Sequence, residues 1–444
     1  MALITNSILN SKNYIIMKEE FIHFLWQYRL FNTPALITTD GTELQIINPG
    51  SANINSGPDF SAARIQLAGT MWAGNIEIHV KSSDWFKHKH HHDDAYSNII
   101  LHVVMHHDKE ITDKQGNQVP VFEVRKFFDS ALLSKYEKII GSKTWIPCAG
   151  FLDKADKMIV MNWLSRLLVE RLENKSSEIQ KFYEYFENNW EQTFYYFLAR
   201  NFGFKINADP FALLAQKTPY LILARHKDDL TQLEALLFGQ AGMLETEFKD
   251  AYPNVLKKEY GFLSHKYKLE PMDKSLWKFG KLRPSNFPTI RIAQFARLIH
   301  QSSGLFSKLV KINSAVEIKE LFDINSSPYW KNHYQFDKSS SDRIKKLGES
   351  AIFNIIINTI APLMFVYGTE NLKPEIKDRA IQLLTTLPPE ENHIIKKWQS
   401  LGIKPANSGE SQALLELKKY YCVPKKCLSC AIGLNLIKQI NTSG

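Results

Sequence analysis

The sequence predicts an α+β protein, an N-terminal mixed β-sheet domain followed by a mainly α-helical region. Three observations predict it. Between residues 44 and 127, short stretches alternate apolar and polar residues, the period-2 signature of half-buried strands. From about residue 155 that alternation stops, and apolar residues recur at helical spacing in MIVMNWLSRLLVERL, QTFYYFLARNFG, DLTQLEALLFGQAG, IRIAQFARLIHQSSG and FNIIINTIAPLMFVYG. Several of these segments end at glycine, as helix C-termini commonly do. Finally, 444 residues exceed one ordinary core, so two or three domains are expected.

The elements follow in order. Residues 18–30 read as an amphipathic helix with Phe21, Phe24, Leu25, Tyr28 and Leu30 on its apolar face. LQIINPG (44–50) reads as a strand that ends in a Pro-Gly turn. Strands follow near 60–67 and at 74–81, separated by a glycine-containing turn. The His-rich stretch KHKHHHDDAYSN (87–98) reads as a short helix with its approach. Two more strands, at 99–108 and 119–127, flank the turn DKQGNQ. The order helix, three strands, helix, two strands suits a mixed sheet with helices packed against it. The expected divisions are a disordered extension at 1–16, an α/β domain at 17–150, and a helical region at 151–444 carrying a cysteine motif. The three-proline segment 266–289 also carries Leu, Trp and Phe, and reads as an ordered connection. No fixed-period repeat is present.

Composition narrows the class. Hydrophobic residues make up 44% and charged residues 23%, so the chain is globular. The net charge of +9, from 55 Lys and Arg against 46 Asp and Glu, permits an anionic partner such as nucleic acid without demanding one. Without a run of ~18 or more apolar residues, no membrane span is expected. The first residues lack the pattern of an export signal. With only four cysteines, a reducing cytoplasm is the expected location. Walker A, G-x-G-x-x-G, G-x-S-x-G and H-E-x-x-H motifs are missing. Oligomeric state is not indicated.

Two constellations carry chemistry. In the first, Asp59 opens one strand, and Glu77, His79 and Lys81 fall on one face of the next, because residues at i, i+2 and i+4 of a strand point the same way. Burying such groups unpaired costs ~2 kcal/mol or more each, and a divalent ion would remove that cost. Two carboxylates from adjacent strands can hold Mg²⁺ or Mn²⁺, and a nearby Lys or His can offset charge on a phosphate. The plainer alternative is a solvated Glu77–Lys81 pair with Asp59 capping a turn. The arrangement resembles the PD-(D/E)XK nuclease superfamily. Pro58-Asp59 matches its first motif and Glu77 the acid of its second; His79 then stands in the lysine slot, with Lys81 two residues on. The resemblance implies a restriction-endonuclease-like fold and a metal-dependent nuclease, with Asp59 and Glu77 as ion ligands and Lys81 or His79 assisting. It also places His91, Tyr96 and Asn98, on the helix after the Glu strand, beside the substrate. Arg283 and Arg291, around Pro284-Ser285-Asn286-Phe287-Pro288, are candidates for phosphate contacts.

The second constellation is Cys422, Cys427 and Cys430, spaced C-x4-C-x2-C, with Cys148 as the one other cysteine. Four thiolates suit Zn²⁺ or an iron–sulfur cluster; free thiols are the alternative. One distant plus three clustered cysteines resembles the iron–sulfur staple of some helicase-associated and CRISPR-adaptation nucleases, except that there the lone cysteine precedes the nuclease core and here it follows.

Over nearly its full length the chain also resembles an uncharacterised bacterial family known as a numbered domain of unknown function. The matching stretches are Gly57-Pro58-Asp59-Phe60, Asn75 to Trp85, Leu236 to Gly242, Arg283 to Gln294, and Tyr421-Cys422 to Gly433. Three function classes therefore compete: a metal-dependent nuclease or phosphodiesterase, a non-catalytic nucleic-acid-binding protein on a degenerate nuclease fold, and a metal-dependent hydrolase of another substrate that uses Glu77, His79 and the histidine cluster.

Overall fold

A computed structural model describes residues 19–439 other than 54 and 303; the extension expected at 1–16 lies outside the described residues. The chain forms two compact units. The first takes the residues up to Trp163 together with those from Leu417 onward, and the second takes Leu164–Glu416. The terminal cysteine stretch, which follows the helical region in the chain, thus belongs to the N-terminal unit. The boundary falls inside one long helix, Lys157–Tyr185.

The N-terminal unit begins with α1 (Glu19–Gln27), which buries Phe21, Ile22, Phe24, Leu25 and Trp26. Seven strands form one sheet: β1 (Leu36–Ile37), β2 (Glu43–Asn48), β3 (Ser51–Ala52), β4 (Phe60–Leu67), β5 (Thr70–Lys81), β6 (Ile99–His106) and β7 (Val121–Glu123). The order is β1-β2-β4-β5-β6-β7, with β3 paired to β4. The pairs on the β1 side of β5 are antiparallel, whereas β5–β6 and β6–β7 are parallel. The mixed sheet expected from the alternation is therefore present. A parallel pair needs a crossover, supplied here by α2 (Asp84–Lys87) and the two single turns His90–His92 and Asp94–Tyr96. Gly74 permits the close approach at the start of that pair: a Cβ there would lie 2.4 Å from Ile100 Cγ2 and 2.7 Å from the Asn98 carbonyl.

Two details differ from the sequence reading. The strand expected over 119–127 ends at Glu123, and a 3₁₀ turn at Val124–Lys126 brings Phe127 back onto Phe122, ring centroids 5.3 Å apart. The strands β1 and β3 are two residues each, too short for alternation to register.

The second unit is helical apart from a small pair, His333–Gln335 with Lys338–Ser339. Some of its helices start on side-chain caps: Asp229 accepts from the N–H groups of Thr231 and Gln232, and Asn189 from that of Gln192, satisfying donors the helix cannot. The run Glu349–Glu370 is long and apolar enough, by length and composition, to cross a membrane, and 78% of its most apolar window is buried inside the protein.

Candidate metal centre

The site grows from the middle of the sheet. On β5, Ile76 and Ile78 point to one face and Glu77 and His79 to the other; all four are buried. In the β5–β6 register Glu77 lies beside His102 and His79 beside Val104. His102 is 0% exposed and His79 1%. The floor beneath them is an apolar cluster of Trp85, Val104, Ile111, Val119 and Val121, and the Trp85 ring sits 5.5 Å from His102 and 5.4 Å from His90. Polar groups over such a floor interact strongly, because little water screens them.

Irregularities aim the side chains. The β4–β5 register slips between Phe60 and Ala63, and Ala62 has φ 54°; the β5–β6 register slips at Asn75–Ile76. Bulges of this kind bend a strand and re-aim its residues. Asp59 and Glu77 then brace each other's strands: the Asp59 N–H donates to Glu77 Oε2 (3.2 Å), and the Ile78 N–H donates to Asp59 Oδ2 (2.8 Å). His23 of α1 brings Nε2 to 3.5 Å from Asp59 Oδ2.

The other Glu77 oxygen faces imidazoles. Oε1 lies 3.2 Å from His90 Nε2 and 3.6 Å from His79 Nε2. His79 Nε2 lies 3.0 Å from His88 Nδ1. One ring nitrogen from each of His79, His88 and His90 falls within 4.8 Å of the other two. The left-handed residue Lys89, φ 64°, lets two histidines so close in sequence converge, by separating the end of α2 from the next turn. On its far side, His79 Nδ1 is 2.8 Å from His102 Nε2.

Electrostatics follow from burial. Desolvation raises the Glu77 carboxyl, and the bond with His90 opposes it. Desolvation first, then His90 and His88, lowers His79 to about 4, and His102 is also held well below the usual imidazole value, again chiefly by burial. Burial thus favours the neutral form of both imidazoles, the form in which histidine binds a metal. Tyr96 packs its ring 3.9 Å from His90, and burial pushes its hydroxyl up to about 12.

The other expected residues fall as follows. Lys81 is exposed at the end of β5, and its charge acts on Asp108. His91 packs on Phe86 and His92. Asn98 is exposed at the entry to β6 and accepts the Asn75 N–H through its carbonyl. Arg283 and Arg291 belong to the second unit. Arg291 is 6% exposed; it donates to Gln294 Oε1 (2.9 Å) and Asn286 Oδ1 (2.6 Å) and lies over the Phe204 ring. It ties the 284–286 turn to the helix that follows. Cys148, Cys427 and Cys430 are buried, Cys422 half-buried, and all four belong to the N-terminal unit. Sequence reasoning singled out Glu77 and His79 by strand period; it missed His23 and did not separate His88 and His90 from their neighbours.

Residues 19–393 fit the model of a family described as protein of unknown function (DUF2851), and the chain belongs to that family. No curated protein and no solved structure matches it.

Proposed function

We propose that the N-terminal unit is a metal-dependent hydrolase of phosphodiesters, with a transition-metal ion held by His79, His88 and His90 and by Oε1 of Glu77. The spacing of the donors carries the reading. A tetrahedral ion on ~2.05 Å bonds sets its ligand atoms ~3.3 Å apart; His79–His88, Glu77–His90 and Glu77–His79 stand at 3.0, 3.2 and 3.6 Å, and the three imidazoles bring one nitrogen each within 4.8 Å of the other two. Three imidazoles and a carboxylate suit Zn²⁺ or Mn²⁺ better than Mg²⁺, which prefers oxygen.

His102 supports the assignment as a positioning residue. For His79 to offer its Nε2 lone pair, Nδ1 must carry the proton and needs an acceptor. His102 Nε2 would be that acceptor, its own proton then on the unpartnered Nδ1, and a partner of this kind normally orients a metal-binding histidine. The bound ion would polarise a phosphoryl oxygen and acidify a water. Asp59, braced to Glu77 and 3.5 Å from His23, is the carboxylate assigned to accept a proton from that water. The phosphodiester assignment rests on the Asp59–Glu77 pair across antiparallel strands, the feature shared with PD-(D/E)XK nucleases, and on the +9 charge. One observation favours the second reading, a non-catalytic nucleic-acid binder on a degenerate nuclease fold: the slot two residues after Glu77 holds buried His79 where that superfamily places a lysine.

The test compares wild type with Glu77→Gln, His79→Ala and His90→Ala for metal content and for hydrolysis of a bis-aryl phosphate, DNA and RNA with Zn²⁺ or Mn²⁺. Stoichiometric metal and cleavage in wild type, both lost in the variants, support the proposal. Equal cleavage by all four proteins reveals a contaminant and overturns it. A bound ion with no cleavage of any substrate rejects the hydrolase and leaves the binding reading.

A further inference from the structure

The four cysteines form a second centre, independent of the histidine site. Two helix starts bring the first pair together. Cys148 precedes the 3₁₀ helix Ala149–Lys154, and Cys430 caps the helix Ala431–Lys438. These segments are joined by the Asp156 N–H donating to Asn435 Oδ1 (3.1 Å) and by Gln439 Nε2 donating to the Lys154 carbonyl (3.0 Å). Lysines fasten the remaining stretch. Lys425, held at φ 59°, donates through Nζ to the carbonyls of Ile140 (2.6 Å) and Ser142 (3.1 Å). Lys418 donates to the Trp145 carbonyl and lies over that ring.

Burial raises the Cys430 thiol, and the backbone N–H groups of Gly433 and Ile432, with the Trp163 side chain beside it, oppose that rise; bonds of this kind tune cluster thiolates. Gly433 is required by the packing: a Cβ there would lie 2.3 Å from the Cys427 carbonyl oxygen. All four cysteines are free of disulfides, and burial first, then the nearness of the other three thiols, raises Cys422. Yet among the described residues no three of the sulfurs lie within 4.8 Å of one another. A single zinc ion on ~2.3 Å bonds would draw four sulfurs to ~3.8 Å. A cubane cluster places each thiolate on a different iron and so holds them farther apart.

We infer that Cys148, Cys422, Cys427 and Cys430 hold a [4Fe–4S] cluster. Three near-sequential thiols from one end of the unit and one from a distant loop would be stapled by it, closing the terminal segment onto the N-terminal unit.

Full-length protein purified without oxygen should carry about four irons and four inorganic sulfides per chain, with a broad visible absorbance that dithionite bleaches. Cys148→Ser and Cys430→Ser should lose the absorbance, and Glu77→Gln should keep it. One zinc with no sulfide, or no uptake after anaerobic reconstitution with iron and sulfide, overturns the inference. If the cysteine variants do not fold by circular dichroism, the electron paramagnetic resonance of reduced wild type decides: a cluster signal supports it, and silence together with zinc overturns it. Loss of hydrolysis with an intact cluster would separate failure of the functional proposal from failure of this one.

Discussion

Replacing His102 by Phe isolates the orienting role from the ligands themselves. His102 is fully buried, and its Nε2 stands 2.8 Å from His79 Nδ1, with His79 only 1% exposed. Without metal, His79 in the variant can move its proton to Nε2 and donate to His88 Nδ1, 3.0 Å away. With metal, Nε2 must bind the ion, so the proton returns to Nδ1 and finds no acceptor and no water. The penalty of an unmet buried donor, ~1–3 kcal/mol, therefore falls on metal binding rather than on folding, which weakens affinity about 5- to 150-fold. That agrees with the ~10- to 100-fold typical of lost partners behind a ligand. Competition with a chromophoric chelator measures it, and His102→Gln, which restores an oxygen acceptor, should recover part of the loss. Undiminished affinity in a folded His102→Phe protein refutes the orientation argument. If His79→Ala also binds normally, the centre itself is misplaced.

Other perturbations test other parts. Glu234, in the second unit, is 1% exposed, and burial raises its carboxyl from 4.5 to about 8. Its folded pKa exceeds the unfolded one, so stability is full below the ordinary carboxylate value and falls by roughly 1.4 kcal/mol per pH unit as pH rises toward 8. Glu234→Gln should flatten that slope in urea titrations; an unchanged slope rejects the assignment. Gly433→Ala overpacks the Cys427 carbonyl and should cost ~1–3 kcal/mol, seen as a lower melting temperature; an unchanged one shows that the helix start can shift freely. Trp85→Ala removes the floor of the histidine site, where its indole N–H donates to the Thr112 carbonyl (3.1 Å), and should cost ~3–5 kcal/mol; calorimetry showing under half of that would sink the packing claim. Binding of single-stranded DNA, followed by anisotropy, should weaken steeply with salt, and a salt-independent affinity would reject an electrostatic footprint.

What the sequence discloses follows from period. β4 falls at 60–67, where the alternation places it, and the same period alone puts Glu77 and His79 on one face. Burial of both is not legible, because it depends on the parallel partner β6, which the chain reaches only after the crossover. The choice of His88 and His90 from a run of histidines is set by one left-handed residue, Lys89, and a lysine announces no such turn. His23 is legible as a position on α1 but not as a neighbour of Asp59, since helix spacing assigns a face and not a partner. The cysteine grouping is legible by count, while its join to the N-terminal unit depends on Lys418 and Lys425 reaching carbonyls far away in sequence.

The face of the sheet that holds the histidines is itself an argument for function. Its opposite face carries Ile76 and Ile78 on β5 and Leu101 and Val103 on β6, all buried. Apolar residues at positions 77, 79 and 102 would continue the cluster built on Trp85 and Val104 and would need no hydrogen-bond partners. Instead the chain buries a carboxyl and two imidazoles, whose partners are one another, the Asp59 N–H, half-buried His90 and exposed His88. Such a network stabilises a fold less than apolar packing of the same volume would. Proteins depart from the locally favoured choice chiefly at sites that act on something else. Here the departure centres on Glu77 and His79, whose Oε1 and Nε2 face His90 and His88, with His102 behind His79; in the proposed reading an ion enters from solvent beside exposed His88 and a substrate follows.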